Sequence, residues 1–229
     1  MNPAQPIAIL GGAGALGSGI ARRLAKGGAN VIIGSRDPVR AQQTVSALNA
    51  AIGAARVSAA TYAEAAERAE LIVVTVPFAA QRETLEAVRA HAAGKLVLDC
   101  TVPLMPPKVG LVQLPAGGWA AQAARARLGP EARLATAFHN VGAKLLEDDA
   151  PVDCDVLVFS DDDAARAEAA ALVQAVGLRA IEAGPLANSA AAEALTSVLI
   201  QINRRYKASH AGIRITKKIR TINLRNYFT

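Results

Sequence analysis

A glycine-rich loop lies between an apolar segment and an alanine-rich amphipathic segment near the start of the chain. Residues 6–17 read Pro-Ile-Ala-Ile-Leu-Gly-Gly-Ala-Gly-Ala-Leu-Gly, and residues 18–28 follow with the pattern of a helix. Gly12, Gly14 and Gly17 have GxGxxG spacing, which permits a tight turn, close approach of a pyrophosphate and close packing of helix on strand. Because a helix N-terminus also offers free N–H groups to phosphate, the segment predicts a strand, a dinucleotide-binding loop and a helix.

Strand-like and helix-like segments alternate along most of the chain. The 229 residues are 52% hydrophobic and only 3% aromatic, which fits one large domain with a core of small aliphatic side chains. Continuous apolar runs at 71–76 and 95–99 are typical of strands buried on both faces. The alternation predicts an α/β fold, a Rossmann-type doubly wound and mostly parallel sheet, with a C-terminal helix that completes the active-site cleft.

The boundaries follow from this pattern. The predicted strands are 7–10, 30–34, 56–59, 71–76, 95–99, 133–138, 155–159 and 178–183, and the predicted helices are 18–28, 38–51, 79–93, 119–128, 162–176 and 188–205. We divide the chain into a nucleotide-binding domain over 1–186, a C-terminal helix over 187–211 packed on it, and a basic tail over 212–229. Residues 217–229 contain no Ala, Gly or Pro, which favours a non-native extension; a genuine basic extension is the alternative.

The positive charge of the chain belongs to its C-terminus. The net charge is +6, but eight Lys and Arg residues and no acid follow Asn203, so residues 1–203 carry 17 basic and 19 acidic side chains. The main body therefore has no electrostatic footprint for nucleic acid. The first apolar run is too short for a signal peptide or membrane span. Cys100 and Cys154 flank apolar runs, as buried reduced thiols do, so we expect a cytoplasmic protein without a membrane partner.

The end of the second predicted strand indicates which nucleotide binds. NAD sites place an acid there for the ribose 2′-OH, and NADP sites place an arginine for the 2′-phosphate. Here the strand continues into Gly34-Ser35-Arg36, and Arg40 follows four residues later. A hydroxyl and two guanidinium groups suit a phosphate monoester. We therefore predict NADP(H), with Asp37 as a helix cap; solvated surface arginines are the alternative.

Few side chains in the sequence are candidates for a catalytic role. Of three histidines, His91 falls at a helix end and His210 in the basic C-terminal region, whereas His139 leaves the carboxyl end of a predicted strand, where ligands bind in open α/β sheets. A core or capping histidine is the alternative. No spacing for a metal site or a nucleophile with its base is present in the sequence. Hydride transfer to a second ring cofactor fits this scarcity, because it depends on ring stacking more than on a general base.

Several segments together resemble the F420-dependent NADP reductase family (NADPH:coenzyme F420 oxidoreductases). The resemblance covers residues 6–206 and rests on the glycine loop, Gly34-Ser-Arg36, Thr75-Val-Pro-Phe78, Ala137-Phe-His139 and Glu182-Ala-Gly-Pro-Leu-Ala-Asn-Ser189. It implies reversible hydride transfer between NADP(H) and the deazaflavin coenzyme F420, whose rings stack, in a homodimer or higher homo-oligomer. An NADPH:flavin (FMN or FAD) reductase and a non-enzymatic NADP(H)-sensing module are the alternatives.

The resemblance also assigns roles to individual positions. It places His139, in an orienting role, and Val141 beside F420. The positions that it implies for NADP(H) are Gly12, Ala13, Gly14, Ala15, Leu16 and Gly17 in the loop, Ser35, Arg36 and Arg40 at the 2′-phosphate, Phe78 and Arg82 near the adenosine, and Val102 and Ala143 near the nicotinamide.

Overall fold

A central sheet of six parallel strands forms the core of the protein. The strands are β1 (Ile7–Leu10), β2 (Val31–Gly34), β3 (Val57–Ala60), β4 (Leu71–Val74), β5 (Leu96–Asp99) and β6 (Arg133–Thr136). Their order is β3-β2-β1-β4-β5-β6, in a computed structural model that describes residues 5–216. The order reverses between β1 and β4, so the carboxyl ends of these two strands border the crevice in which such sheets bind ligands.

Helices cover both faces of this sheet. They are α1 (Ala15–Lys26), α2 (Pro38–Ile52), α3 (Tyr62–Arg68), α4 (Phe78–Val88), α5 (Ala120–Leu128), α6 (Asp163–Ala175) and α7 (Ser189–Tyr206). One core layer joins the sheet to α1, α2 and α6, and the other joins it to α3, α4 and α5. The predicted doubly wound fold is confirmed. No helix within residues 5–216 has the length and apolarity of a membrane span.

Local sequence signals fix several helix ends. The Asp37 carboxylate accepts a hydrogen bond from the Arg40 N–H at 3.0 Å, and Pro38 is the first helical residue of α2, as predicted. Gly53 ends that helix in the left-handed region, with φ of 68°. Helix α3 was not predicted, although Thr61 and Glu64 form a capping box at its start.

The last two strands form a sheet of their own. β7 (Asp155–Val158) and β8 (Arg179–Glu182) pair in parallel, and a single antiparallel bridge between Thr136 and Phe159 links them to β6. A parallel neighbour of β6 would need a crossover, usually helical. Residues 137–154 provide only a 3-10 turn at Ala143–Leu146, so β7 meets β6 antiparallel and extends away from it.

The chain after α7 returns to β7. The Asp155 N–H donates to the Ile213 carbonyl at 2.8 Å, and the Ile215 N–H donates to the Asp155 carboxylate at 2.6 Å. Arg179 also donates to the Ile215 carbonyl at 3.0 Å. The first residues of the predicted tail thus pack on the second sheet, while residues 217–229 lie outside the described part of the chain.

Two truncations separate these parts of the C-terminus. A chain that ends at Thr216 is expected to keep the melting temperature and turnover of the full chain. A chain that ends at His210 loses five hydrogen bonds, three of them to or from charged side chains, and is expected to lose about 3 to 5 kcal/mol of unfolding free energy. Urea unfolding of the three proteins measures this. A large loss of stability on removal of residues 217–229 alone would contradict it.

Candidate functional site

The glycine-rich loop passes close to its neighbours at the crevice. A Cβ on Gly17 would lie 2.5 Å from the Thr75 hydroxyl oxygen and 2.7 Å from the Gly12 Cα. A Cβ on Gly12 would lie 2.8 Å from the Ile9 carbonyl oxygen, and Gly11 has a φ of 79°. These contacts require glycine, because an added methyl group would displace backbone. The loop has the close packing that the GxGxxG spacing predicts.

The start of α1 has free donors. Within residues 5–216, no carbonyl accepts a hydrogen bond from the N–H groups of Ala13, Ala15 or Leu16. Gly14 precedes the helix without a side-chain cap, and no acid lies in the first turn of α1. The helix dipole adds partial positive charge at this point. Open N–H groups at a helix N-terminus fit a pyrophosphate, so the residues present suit a dinucleotide.

The predicted 2′-phosphate residues lie beside this loop. Arg40 donates to the Ala13 carbonyl at 3.2 Å, which brings its guanidinium to the loop. Arg36 follows the end of β2 and pairs with Glu83 of α4 at 3.2 Å, with both side chains well exposed. The Ser35 hydroxyl accepts from the Asp37 N–H at 3.1 Å. Arg40 thus contacts the loop directly, while Ser35 and Arg36 follow Gly34, whose carbonyl accepts from the Gly11 N–H at 3.0 Å.

Phe78 and Arg82 lie on the first turns of α4. Phe78 is half-buried and Arg82 is exposed. The Arg36–Glu83 pair ties the same part of α4 to the segment after β2. The start of α4 thus lies beside the segment that follows β2.

A buried polar cluster lies at the end of β5, and we call Gln81, Asp99 and Thr101 the β5-end cluster. The Gln81 amide nitrogen donates to the Asp99 carboxylate and to the Thr101 hydroxyl, both at 2.6 Å. Thr101 donates to Asp99 through its N–H and its hydroxyl, both at 3.0 Å. Burial raises the pKa of Asp99 to about 6, against these hydrogen bonds. The cluster directly precedes Val102, which the sequence analysis placed near the nicotinamide.

Helix α7 adds a second buried carboxylate. Glu193 accepts from the N–H groups of Ala120 and Ala121, at 2.7 and 3.1 Å, and so caps α5. Burial raises the pKa of Glu193 to about 7, with the charge of Asp99 acting in the same direction. A hollow beside this carboxylate is lined by Val102, Pro103, Leu114, Trp119, Glu193 and Ser197. Gln81, Asp99 and Glu193 were not predicted, although an acid that ends an apolar strand is a sequence signal for Asp99.

His139 is buried at the end of β6. Its side chain is 3% exposed, and within residues 5–216 neither ring nitrogen has a hydrogen-bond partner. The preceding Phe138 has a φ of 66°, an unfavourable value for an aromatic residue, and α7 holds the His139 carbonyl through the Thr196 hydroxyl at 2.6 Å. His139 follows the end of the predicted strand, as expected, but its imidazole is not exposed in the crevice.

The segment after His139 runs back along α1. Val141 and Ala143 are half-buried, and Leu146 packs so closely on α1 that a Cβ on Gly19 would lie 2.6 Å from its Cβ. His210 covers Gly142, where an added Cβ would lie 2.8 Å from the His210 Cβ. The sequence analysis gave His210 no role, because only the fold brings it beside residues 141–143. His91 lies in a 3-10 turn that directly follows α4.

The burial of His139 makes stability depend on pH. Desolvation lowers the pKa of His139 to about 4 from 6.5, so between these values the unfolded chain binds more protons than the folded one. We expect the contribution of His139 to be complete above pH 6.5 and lost as the pH falls towards 4, about 3 kcal/mol in all. Urea unfolding at pH 4 and pH 7 should show a larger loss for the wild type than for His139→Gln. Equal losses in the two proteins would contradict this.

Known proteins match the chain over its length. The family described as "NADP oxidoreductase coenzyme F420-dependent" matches residues 6–103. The F420-dependent NADP reductase of Methanothermobacter marburgensis is 42% identical over 221 residues, which cover 92% of this chain and 97% of that protein. The chain belongs to the F420-dependent NADP reductase family. The protein of that name from Methanocaldococcus jannaschii is 34% identical over 92% of this chain and 97% of its own.

A solved structure agrees with this family membership. A crystal structure of a candidate F420-dependent NADP reductase from Arthrobacter sp. FB24 has a TM-score of 0.79 and 26% identity, and the match covers 93% of this chain and 100% of that chain. The resemblance stated from the sequence motifs is confirmed. Within residues 5–216, no group of three His, Cys, Asp or Glu side chains is placed to hold a metal ion.

Proposed function

We propose that this protein transfers a hydride reversibly between NADP(H) and the deazaflavin F420. The observation that carries the proposal is the open N-terminus of α1, with Arg36 and Arg40 beside it, in a chain of this family. Free N–H groups bind a pyrophosphate, and the two guanidinium groups bind a 2′-phosphate. Together they select NADP(H) as one of the two substrates.

We infer that the chain acts mainly by positioning the two rings. When both are bound, the hydride leaves C4 of NADPH and bonds to C5 of F420, and water supplies the accompanying proton. Val102 and Ala143 border the nicotinamide and Val141 borders the deazaflavin, while His139, whose ring is buried, acts on the deazaflavin through the segment that it begins. The low pKa keeps His139 neutral near pH 7, which supports an orienting role. Holding two reacting rings in contact accounts for most of the rate in such a transfer.

Spectral titration separates this function from its alternatives. NADPH oxidation is followed in the presence of F420, FMN or FAD, each at matched concentration. We expect turnover with F420 and at most a small fraction of that rate with either flavin. Faster turnover with FMN or FAD would identify a flavin reductase. NADPH binding without turnover of any of the three would identify a sensing module.

Two variants test the proposed role of His139. His139→Ala is expected to reduce the rate of F420 reduction by about 10- to 50-fold, because the imidazole no longer orients the deazaflavin. The affinity for NADPH should change little, because the phosphate contacts are distant. His139→Gln keeps a donor of similar reach and should recover much of the rate. Steady-state kinetics measures both; equal inactivation, together with loss of a limb of the pH profile, would indicate acid–base catalysis.

We also propose that the protein is cytoplasmic and forms a homodimer or a higher homo-oligomer. Its remaining partners are then small-molecule cofactors. Val198, Ile202 and Tyr206 form an exposed apolar stripe along α7, and Leu111 and Leu114 are exposed on the loop beside it. Exposed apolar surface of this kind supports subunit contact. Cys100 and Cys154 are buried free thiols, which supports a reducing compartment. Light scattering of the purified protein tests the oligomeric state.

A further inference from the structure

Four elements of the fold meet at the β5-end cluster. Gln81 belongs to α4, Asp99 ends β5, and Thr101 begins the loop that follows. The Gln81 amide nitrogen also lies 3.1 Å from the Ala120 carbonyl oxygen at the start of α5, so its two hydrogens are shared among three acceptors. Glu193 of α7 holds the N–H of the same residue. Gln81, Asp99, Thr101 and Glu193 are each at most 3% exposed, so water does not compete for these bonds.

The hydrogen bonds connect Glu193 with Thr101, the residue before Val102. They run from Glu193 through Ala120 to Gln81 and from there to Thr101, whose hydroxyl donates to Asp99 and accepts from Gln81. The Thr101 N–H is held by the same carboxylate. Two bonds therefore fix the backbone and the side chain of the residue before Val102. A buried network is rigid when its donors and acceptors are hydrogen-bonded, as they are here. Loss of one side chain leaves its hydrogen-bond partners unpaired.

We propose that Gln81 and Thr101 are positioning residues for hydride transfer, which hold Val102 against the nicotinamide. The inference rests on the proposed function, because that function places the nicotinamide beside Val102. Neither residue reaches the reacting carbons; both act through the loop after β5. A small displacement of a positioning group reduces the rate of a ring-to-ring transfer much more than it reduces binding, which depends on the phosphate contacts.

Thr101→Val and Thr101→Ser form the decisive pair. Valine keeps the shape of threonine and removes the hydroxyl, whereas serine keeps the hydroxyl and removes the methyl group. We expect Thr101→Val to lower kcat about 10- to 100-fold, with the Kd for NADPH within about twofold. Thr101→Ser should stay near the wild-type kcat. Damage from serine equal to that from valine would show that packing matters and would overturn the proposal.

Fluorescence of bound NADPH provides a readout without turnover. Time-resolved anisotropy of the nicotinamide reports motion of the ring within its site. We expect added fast depolarisation in Thr101→Val and none in Thr101→Ser. Wild-type anisotropy and kcat in Thr101→Val would overturn the proposal. If the wild type itself does not reduce F420, the proposed function fails, while the anisotropy comparison still tests whether Thr101 holds the nicotinamide.

A second variant covers the case in which Thr101→Val does not fold. Gln81→Met keeps the length of the side chain and removes the donor, and it is expected to show the same loss of kcat and the same added depolarisation at unchanged affinity. Gln174→Met is the matched control, since Gln174 is exposed on α6 away from the crevice. Parallel losses of melting temperature and NADPH affinity, without added ring motion, would assign the cluster a folding role only and overturn the proposal.

Discussion

Gly17→Ala is expected to abolish most of the affinity for NADPH. The new methyl group would lie 2.5 Å from the Thr75 hydroxyl oxygen and 2.7 Å from the Gly12 Cα. Thr75 cannot turn away without losing its bond to the Leu10 carbonyl, at 2.9 Å, so the loop itself must move. Overpacking of this kind costs about 1 to 3 kcal/mol. Since movement of the loop also misaligns the free N–H groups of α1, we expect NADPH affinity to fall about 100-fold, or about 2.7 kcal/mol.

Gly117→Ala is the matched control for this change. No heavy atom lies within 4 Å of a Cβ at Gly117, so the same methyl group meets open space there. Isothermal titration with NADPH and urea unfolding of both variants separate binding from stability. A Gly17→Ala protein that binds NADPH as tightly as Gly117→Ala would show that the loop does not hold the pyrophosphate.

Arg36→Ala is expected to reduce the preference for NADP over NAD by tenfold or more. A charge-assisted contact to the 2′-phosphate contributes about 1.5 to 3 kcal/mol, which NAD cannot use. The exposed pair of Arg36 with Glu83 contributes about 0 to 1 kcal/mol, so folding should change little. Adding Arg40→Ala should extend the loss of preference to about 100-fold or more, because a second guanidinium is removed. The ratio of kcat/KM for the two cofactors measures this.

Arg127→Ala provides the control for the arginine variants. Arg127 pairs with Glu86 of α4 at 3.0 Å, which resembles the pair of Arg36 with Glu83 but lies on α5. Its loss should leave the ratio unchanged. If Arg36→Ala and Arg127→Ala alter the ratio equally, the 2′-phosphate does not bind at Arg36.

The parts of the fold that the sequence predicted well are those with local signals. The glycine loop, the cap at Asp37 and the buried strands predicted at 71–76 and 95–99 each depend on neighbouring residues. The structure has the cap at Asp37 and strands at 71–74 and 96–99, while α1 begins at Ala15, three residues before the predicted helix start, and so includes Gly17. The combination of motifs also predicted the family. The division at residues 186 and 211 and the roles of individual site residues remain predictions.

The features that the sequence did not predict depend on distant contacts. The alternation of strands and helices does not reveal that β7 and β8 leave the main sheet, because the separation depends on how residues 137–154 fold. His139 was expected at the ligand-binding edge, yet its side chain is 3% exposed, with its ring beside that of Phe159 and its carbonyl held by Thr196 of α7. The partners of Gln81 come from β5 and α5, which no periodicity in α4 indicates.

The return of the chain to β7 has a consequence for solubility. A strand that lies at the border of a small sheet exposes N–H and carbonyl groups that can pair with another molecule. Here the Asp155 N–H donates to the Ile213 carbonyl at one end of β7. At the other end, Thr136 and Phe159 form two backbone hydrogen bonds with each other. The β7 edge of the second sheet is thus closed at both ends by the same chain, which limits pairing of this edge with another molecule.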